Sequence, residues 1–203
     1  MNLSAFRTAS IAAITILAAV LIAWQFGIFS PEGSPGRMGI AKVGGPFKLT
    51  DHNGIERDSR EFRGRLMLIY FGYTFCPDVC PTALQIMNLA LENMKSKAKE
   101  IQPIFISIDP TRDTPKILKN YVKNFYPSLI GFTGKKKSIK DVAKKYRVYY
   151  AKASTKKPKL ETTDYLMDHS SILFLLDRKG RYLTHFNHQS QPEAITKVLQ
   201  KYL

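Results

Sequence analysis

The stretch LMLIYFGYTFCPDVCPTALQIMNLALENM, residues 66–94, decides how the rest of the chain is read. Leu66 to Phe71 is a continuous apolar run, the pattern of a strand buried on both faces of a sheet. Ala83, Leu84, Met87, Ala90, Leu91 and Met94 then recur at helical spacing, and Pro81 suits the first position of that helix, where a missing N–H costs nothing. Between strand and helix lies Cys76-Pro77-Asp78-Val79-Cys80, which holds the two cysteines of a 203-residue chain. A parallel strand leading through a short loop into a helix places chemistry where free backbone N–H groups and the positive end of the helix dipole favour a thiolate.

Outward from this stretch the pattern continues. Phe47 to Thr50 and Ile55 to Asp58 flank Asn53-Gly54 and predict an N-terminal β-hairpin. Ile104 to Ile108 reads as a second buried strand. Thr114 with Pro115 opens a helix running to about Phe125. Ser138 with Asp141, and Ser190 with Glu193, have the spacing of capping boxes for helices ending near Tyr146 and Leu203. Val148 to Ala151 reads as a strand, Ser154 to Thr163 as a polar loop, and Ile172 to Leu176 with Tyr182 to Phe186 as a second hairpin. The order is hairpin, β, α, β, α, α, β, β, β, α. The expected fold class is α/β, a single thioredoxin-like domain with an N-terminal β-hairpin.

One transmembrane helix is expected before that domain. Residues 11–24 carry no charge, and the apolar stretch resumes at Phe26, giving roughly 19 residues, enough to cross ~30 Å of hydrocarbon. Residues 1–29 are therefore read as a membrane anchor, with the helix over about 10–29. A cleaved signal peptide is the alternative. Residues 30–43, rich in glycine and proline, read as a linker, and 44–203 as the folded domain. On either reading the remainder is exported.

Composition narrows the function. Hydrophobic residues make up 44% and charged residues 23%, which excludes a disordered or fibrous chain. Two cysteines exclude a disulfide-stapled miniprotein and a four-thiolate zinc or iron–sulfur site. The net charge of +15 raises the question of nucleic acid. Much of it lies in one tract, Lys135, Lys136, Lys137, Lys140, Lys144, Lys145, Arg147, Lys152, Lys156, Lys157 and Lys159. No nucleic-acid motif accompanies these residues. They read as a solvated face, or as a docking surface for an acidic partner or anionic lipid headgroups.

The cysteine pair suits oxidation, metal binding, or both. Four residues apart on a helix, their Cβ atoms lie ~5–6 Å apart; a tight loop brings them to the ~3.5–4.5 Å of a disulfide. A structural disulfide is one reading. The spacing C-x-x-x-C departs from the C-x-x-C of thiol–disulfide oxidoreductases on this fold. Two soft thiolates favour Cu(I), and imidazole is a natural third ligand. His169 has the best position, in the loop before the apolar strand, a loop that abuts the active-site helix in a thioredoxin-like fold; an ordinary half-buried histidine bonded to Asp168 or backbone is the alternative. His52, His185 and His188 have no such argument. Met167 is soft enough for copper but fits packing. Asp78 reads as a turn residue or ligand orienter, Asp109 as a residue that caps or turns the chain, and Tyr149 and Tyr150 as β-surface aromatics.

The segments FGYTFCPDVCPTAL (71–84), ISIDPTRDTP (106–115), LIGFTGKK (129–136), VAKKYRVYY (142–150) and DYLMDHSSILFLLDRKG (164–180) resemble the SCO/SenC family of membrane-anchored copper chaperones, in family order. The resemblance implies Cys76, Cys80 and His169 as copper ligands, for Cu(I) and also Cu(II). It implies a role in assembling the CuA centre of cytochrome c oxidase subunit 2, an upstream copper donor, and no partnership with nucleic acid. It leaves two activities open: copper delivery without turnover, or a thiol–disulfide oxidoreductase in which Cys76 and Cys80 reduce the acceptor's cysteines. The expected location is the bacterial inner membrane with the soluble domain in the periplasm, or the intermembrane space if the source is mitochondrial. The absence of an Arg-rich stretch before the anchor favours the bacterial envelope.

Overall fold

The computed structural model describes residues 15–22, 43–153 and 165–203. Val43–Leu203 forms one compact unit and Met1–Lys42 another. The anchor expected over 10–29 lies largely outside the described residues, as do the linker and the polar loop at 154–163. Residues 15–22 are helical. Among the described residues, no helix is long and apolar enough to cross a membrane.

The larger unit is built on strands β1 (Lys48–Asp51), β2 (Glu56–Asp58), β3 (Leu66–Gly72), β4 (Ile101–Ser107), β5 (Ile130–Thr133), β6 (Tyr150–Lys152), β7 (Met167–His169), β8 (Ile172–Leu176) and β9 (Tyr182–Asn187). Its helices are α1 (Val79–Asn93), α2 (Pro115–Val122), α3 (Lys136–Tyr146) and α4 (Pro192–Tyr202). Seven strands form one sheet in the order β2-β1-β5-β4-β3-β8-β9, and β6 pairs with β7 in a separate two-stranded sheet. β3, β4 and β5 run parallel, while β8 joins β3 antiparallel. Every residue of β3 is buried, as the continuous apolar run requires of a strand covered on both faces.

Several sequence expectations are corrected. Helix α1 starts at Val79, so Pro81 is its third residue and Cys80 its second. The shift is sterically free, because no residue in the first turn needs its N–H for the ladder. Helix α2 stops at Val122 rather than Phe125. Neither proposed capping box forms: α3 begins at Lys136 behind Lys135, and α4 at Pro192 behind Gln191, neither with a side-chain cap. Ser138 thus lies inside its helix, while Ser190 donates to Asn187 instead. The N-terminal hairpin forms around Gly54 at φ +83°, with Asp51 accepting from the backbone N–H of Asn53 and Ile55. Strand β5, absent from the expected order, separates α2 from α3.

β5 matters because it joins the hairpin to the parallel sheet, pairing with β4 on one side and antiparallel with β1 on the other. Phe132 on β5 meets Phe47 edge-on at 5.7 Å and Phe62 at 6.1 Å, between ring centroids. Phe132 is fully buried, so Phe132→Ala should cost about 3–5 kcal/mol of unfolding free energy. Urea denaturation followed by circular dichroism measures it; a loss under about 1 kcal/mol would contradict this packing.

Candidate metal centre

The site forms where three segments converge beyond the carboxyl ends of the parallel strands. β3 and β4 finish side by side, with Gly72 opposite Ser107. After β3 the chain turns through Tyr73–Pro77, with Cys76 N–H donating to the Tyr73 carbonyl, and enters α1. Asp78 precedes the helix but makes no side-chain cap. Its place is taken by sulfur: the Cys80 N–H donates to Cys76 Sγ at 3.3 Å. A thiolate at a helix N-terminus is favoured by the free amides and the dipole.

Cys80 is fully buried and Cys76 half-buried, and both are free thiols. His169 reaches them from β7, with Nε2 3.3 Å from Cys80 Sγ. Its Nδ1 lies 3.3 Å from the Ser170 carbonyl, which orients the ring with Nε2 toward the sulfurs. The rings of Tyr73 and Tyr70 meet the imidazole edge-on at 5.9 and 6.3 Å. The ligand atoms of Cys76, Cys80 and His169 all lie within 4.8 Å of one another.

The two thiols share a proton unequally. The Cys80 S–H donates to Cys76, and this, with help from His169 and the N–H groups of Asp78 and Cys80, holds the Cys76 thiol far below its ordinary pKa despite partial burial. The same bond and deep burial push Cys80 up. The pair is therefore one half-buried thiolate backed by one fully buried thiol, which has to lose its proton to act as a second anionic ligand.

Sequence reading located these three residues, but not what positions them. Gly72 is one: a Cβ there would lie 2.8 Å from Cys80 Sγ and 3.0 Å from the rings of Phe105 and Tyr70. Only a glycine leaves room for the buried sulfur. Asp113 is another, fully buried, accepting from Thr74 N–H at 3.0 Å, Thr74 hydroxyl at 2.6 Å and Ser107 hydroxyl at 2.5 Å. It ties the end of β4 to the loop two residues before Cys76. Burial pushes its carboxyl pKa up, against the pull of those donors.

The histidine strand is held from the same side. Asp109, expected to cap or turn the chain, does turn it, its carbonyl accepting from the N–H groups of Arg112 and Asp113, and its carboxylate pairs with Arg112, both buried. Arg112 Nη1 donates to the Tyr165 carbonyl at 2.8 Å, and its guanidinium lies 3.6 Å from the Tyr165 ring centroid and 4.7 Å from that of Phe75. Tyr165 donates its hydroxyl to Asp109, and Tyr73 accepts from Met167 N–H. His169 itself sits at the end of β7, opposite Tyr150, not in a loop as expected.

The other candidates lie apart from this cluster. His52 Nδ1 accepts from Gly131 N–H, and His185 meets the Tyr182 hydroxyl. Tyr149 is exposed and Tyr150 half-buried. Met167 and Asp78 line the groove of about 290 Å³ that opens onto Cys76 and His169.

With this geometry in hand, comparison with known proteins is direct. The SCO1/SenC family profile matches residues 36–203. A SCO2-like protein of Rickettsia prowazekii is 43% identical over 165 residues, covering 81% of this chain and 75% of its own length. The mitochondrial SCO1 homolog of Homo sapiens is 39% identical over 168 residues, covering 82% and 54%. The structure of Bradyrhizobium japonicum ScoI with copper bound superposes with a TM-score of 0.71 at 44% identity, over 79% of this chain and 99% of that one.

The unequal sharing of the proton makes a pH prediction. A group whose folded pKa is depressed stays ionised as pH falls until that lower pKa is reached. Iodoacetamide alkylation of Cys76 in the reduced chain should therefore stay nearly constant from pH 8 to 6, where an ordinary thiol slows about a hundredfold. A hundredfold fall at Cys76, read by mass spectrometry, would contradict the depressed pKa.

Proposed function

The chain belongs to the SCO1/SenC family, and from that premise and the geometry above we propose that it is a copper metallochaperone holding Cu(I) through Cys76, Cys80 and His169. The observation that carries the reading is the meeting of two thiol sulfurs and an imidazole nitrogen within 4.8 Å. Two soft thiolates and one imidazole favour Cu(I) over harder ions. Cys80 forms the inner wall of the site, and half-buried Cys76 and His169 face the groove. Thiolates of an acceptor can enter from that side and take the metal by ligand exchange. Copper is cargo here, and a three-coordinate site open on one side suits its release.

In this reading the recipient is the CuA centre of cytochrome c oxidase subunit 2, and an upstream donor loads the site. The apolar stretch at 10–29 is the anchor in the lipid bilayer and 30–43 the tether. Residues 44–203 then face the periplasm, or the intermembrane space in a mitochondrion. Redox state gates loading. Forming the Cys76–Cys80 disulfide by exchange with a partner disulfide passes on two electrons and the one proton of the thiolate–thiol pair, and takes away both sulfur ligands.

One observation favours a second activity, thiol–disulfide exchange. A thiolate facing a groove with a buried thiol behind it is the arrangement of an attacking and a resolving cysteine. Cys76 would attack an acceptor disulfide, releasing one acceptor thiolate. Cys80 would then displace the second, leaving the acceptor reduced and this chain oxidised. His169 is needed for the first activity and not for the second.

Anaerobic Cu(I) titration of the reduced full-length chain against a competing chelator tests the proposal. One equivalent should bind, His169→Ala should weaken binding at least about tenfold, and the oxidised chain should bind none. The His169→Ala variant should keep its rate of dithiol exchange. Absence of Cu(I) binding by the reduced wild-type chain would overturn the chaperone reading.

A further inference from the structure

Beside the metal groove lies a second, larger one of about 490 Å³. The two meet at Met167, and consecutive residues divide between them: Tyr165 lines the second and Leu166 the first, Lys152 the second and Ala153 the first. Ile108 and Tyr150 contribute to an apolar lining. Lys136, Lys137 and Lys140, from the first turns of α3, and Lys152 of β6 stand around it, all exposed.

The charges are unbalanced. Among the described residues, Asp109 is the one carboxylate lining this groove, and it is buried and committed to Arg112 and Tyr165. Lys137 pairs with Asp141 at 3.1 Å on the exposed helix face. Lys152 lies over the Tyr165 ring at 3.9 Å. Among the described residues, Lys136 and Lys140 have no carboxylate within ion-pair distance. Outside the groove, the apolar ridge continues to the metal site, where Phe75 is 52% and Leu166 50% exposed.

We propose that this groove is the docking site for an acidic segment of the protein that exchanges copper with Cys76, Cys80 and His169. The identity of that partner as a copper-exchanging protein rests on the reading of the site as a chaperone's. Four ammonium groups around an apolar lining fit a polypeptide that offers an apolar side chain flanked by Asp or Glu. A flat anionic membrane would meet the lysines but leave the apolar floor unfilled. A partner seated there lies directly across the Leu166–Met167 ridge from the half-buried Cys76, so docking brings its own metal ligands to the open side of the site. Complementary charge also steers the encounter and makes its rate fall with ionic strength.

The test uses the reduced full-length chain in neutral phosphatidylcholine nanodiscs. The probe is a fluorescent dodecapeptide of eight glutamates around two phenylalanines. A glutamine counterpart and phosphatidylserine vesicles serve as comparisons. The triple variant K136Q/K140Q/K152Q should bind the acidic peptide at least about tenfold more weakly than the wild type. The control triple K95Q/K97Q/K99Q, which removes equal charge elsewhere, should stay within about twofold. The glutamine peptide should bind neither measurably, and the vesicles should not distinguish the two triples.

Equal losses in both triples would overturn the proposal in favour of diffuse charge attraction. Discrimination by the vesicles but not by the peptide would overturn it in favour of a membrane-facing surface. Cu(I) titration of the same three proteins separates this outcome from the chaperone reading. All three should bind copper alike, and a wild type that binds peptide but no copper would sink the chaperone role while leaving the groove.

Discussion

Cys80 carries its sulfur with no solvent exposure at the junction of β3 and α1, and the site is arranged around making that burial tolerable. A buried thiol needs partners if it is ever to ionise. Its bond to Cys76 and its burial keep the proton on Cys80, His169 Nε2 lies 3.3 Å from its sulfur, and Gly72 leaves the space that any side chain would take. The parallel sheet supplies the rest of the constraint. Because β3 is buried on both faces, its end is rigid, and the cysteine loop starts from a fixed point.

The two halves of the site come from segments about ninety residues apart, so their meeting has to be enforced by other contacts. Asp113 holds the cysteine loop, through Thr74, to the end of β4. Arg112 and Tyr73 hold the histidine strand to that same loop. Both charged residues come from one short stretch after β4. A buried ion pair such as Arg112–Asp109 is weak evidence for stability, since desolvation offsets its attraction. Its value here is positional: the guanidinium lies against Phe75 on one side of the site and Tyr165 on the other.

Much of this was legible in the sequence because it is encoded locally. The run at 66–71, the helical period after it and the cysteine spacing all lie within about thirty residues, and the resemblance of DYLMDHSSILFLLDRKG named His169. What escaped reading depends on contacts through space. β5 is four residues long and contains Gly131, too short and too weak in propensity to stand out. β7 is three residues that become a strand only by pairing with β6. Gly72 resembled the end of a strand, and its role emerges only when Cys80 Sγ is found where its side chain would be. Asp113 draws no reading from the sequence, since nothing local shows that its carboxylate, like that of Asp109, turns inward. The capping boxes failed for a related reason: a serine and an acid three residues on fit a helix start at several offsets, and packing chose another.

Copper handling by this chain requires that Cys76, Cys80 and His169 close on a single copper ion. X-ray absorption at the copper K edge of the reduced, Cu(I)-loaded full-length chain tests it most directly. The expected first coordination sphere holds two sulfurs and one nitrogen, with the nitrogen lost and the sulfurs kept in His169→Ala. A wild-type spectrum with sulfur alone, or one unchanged by that substitution, would contradict the claim.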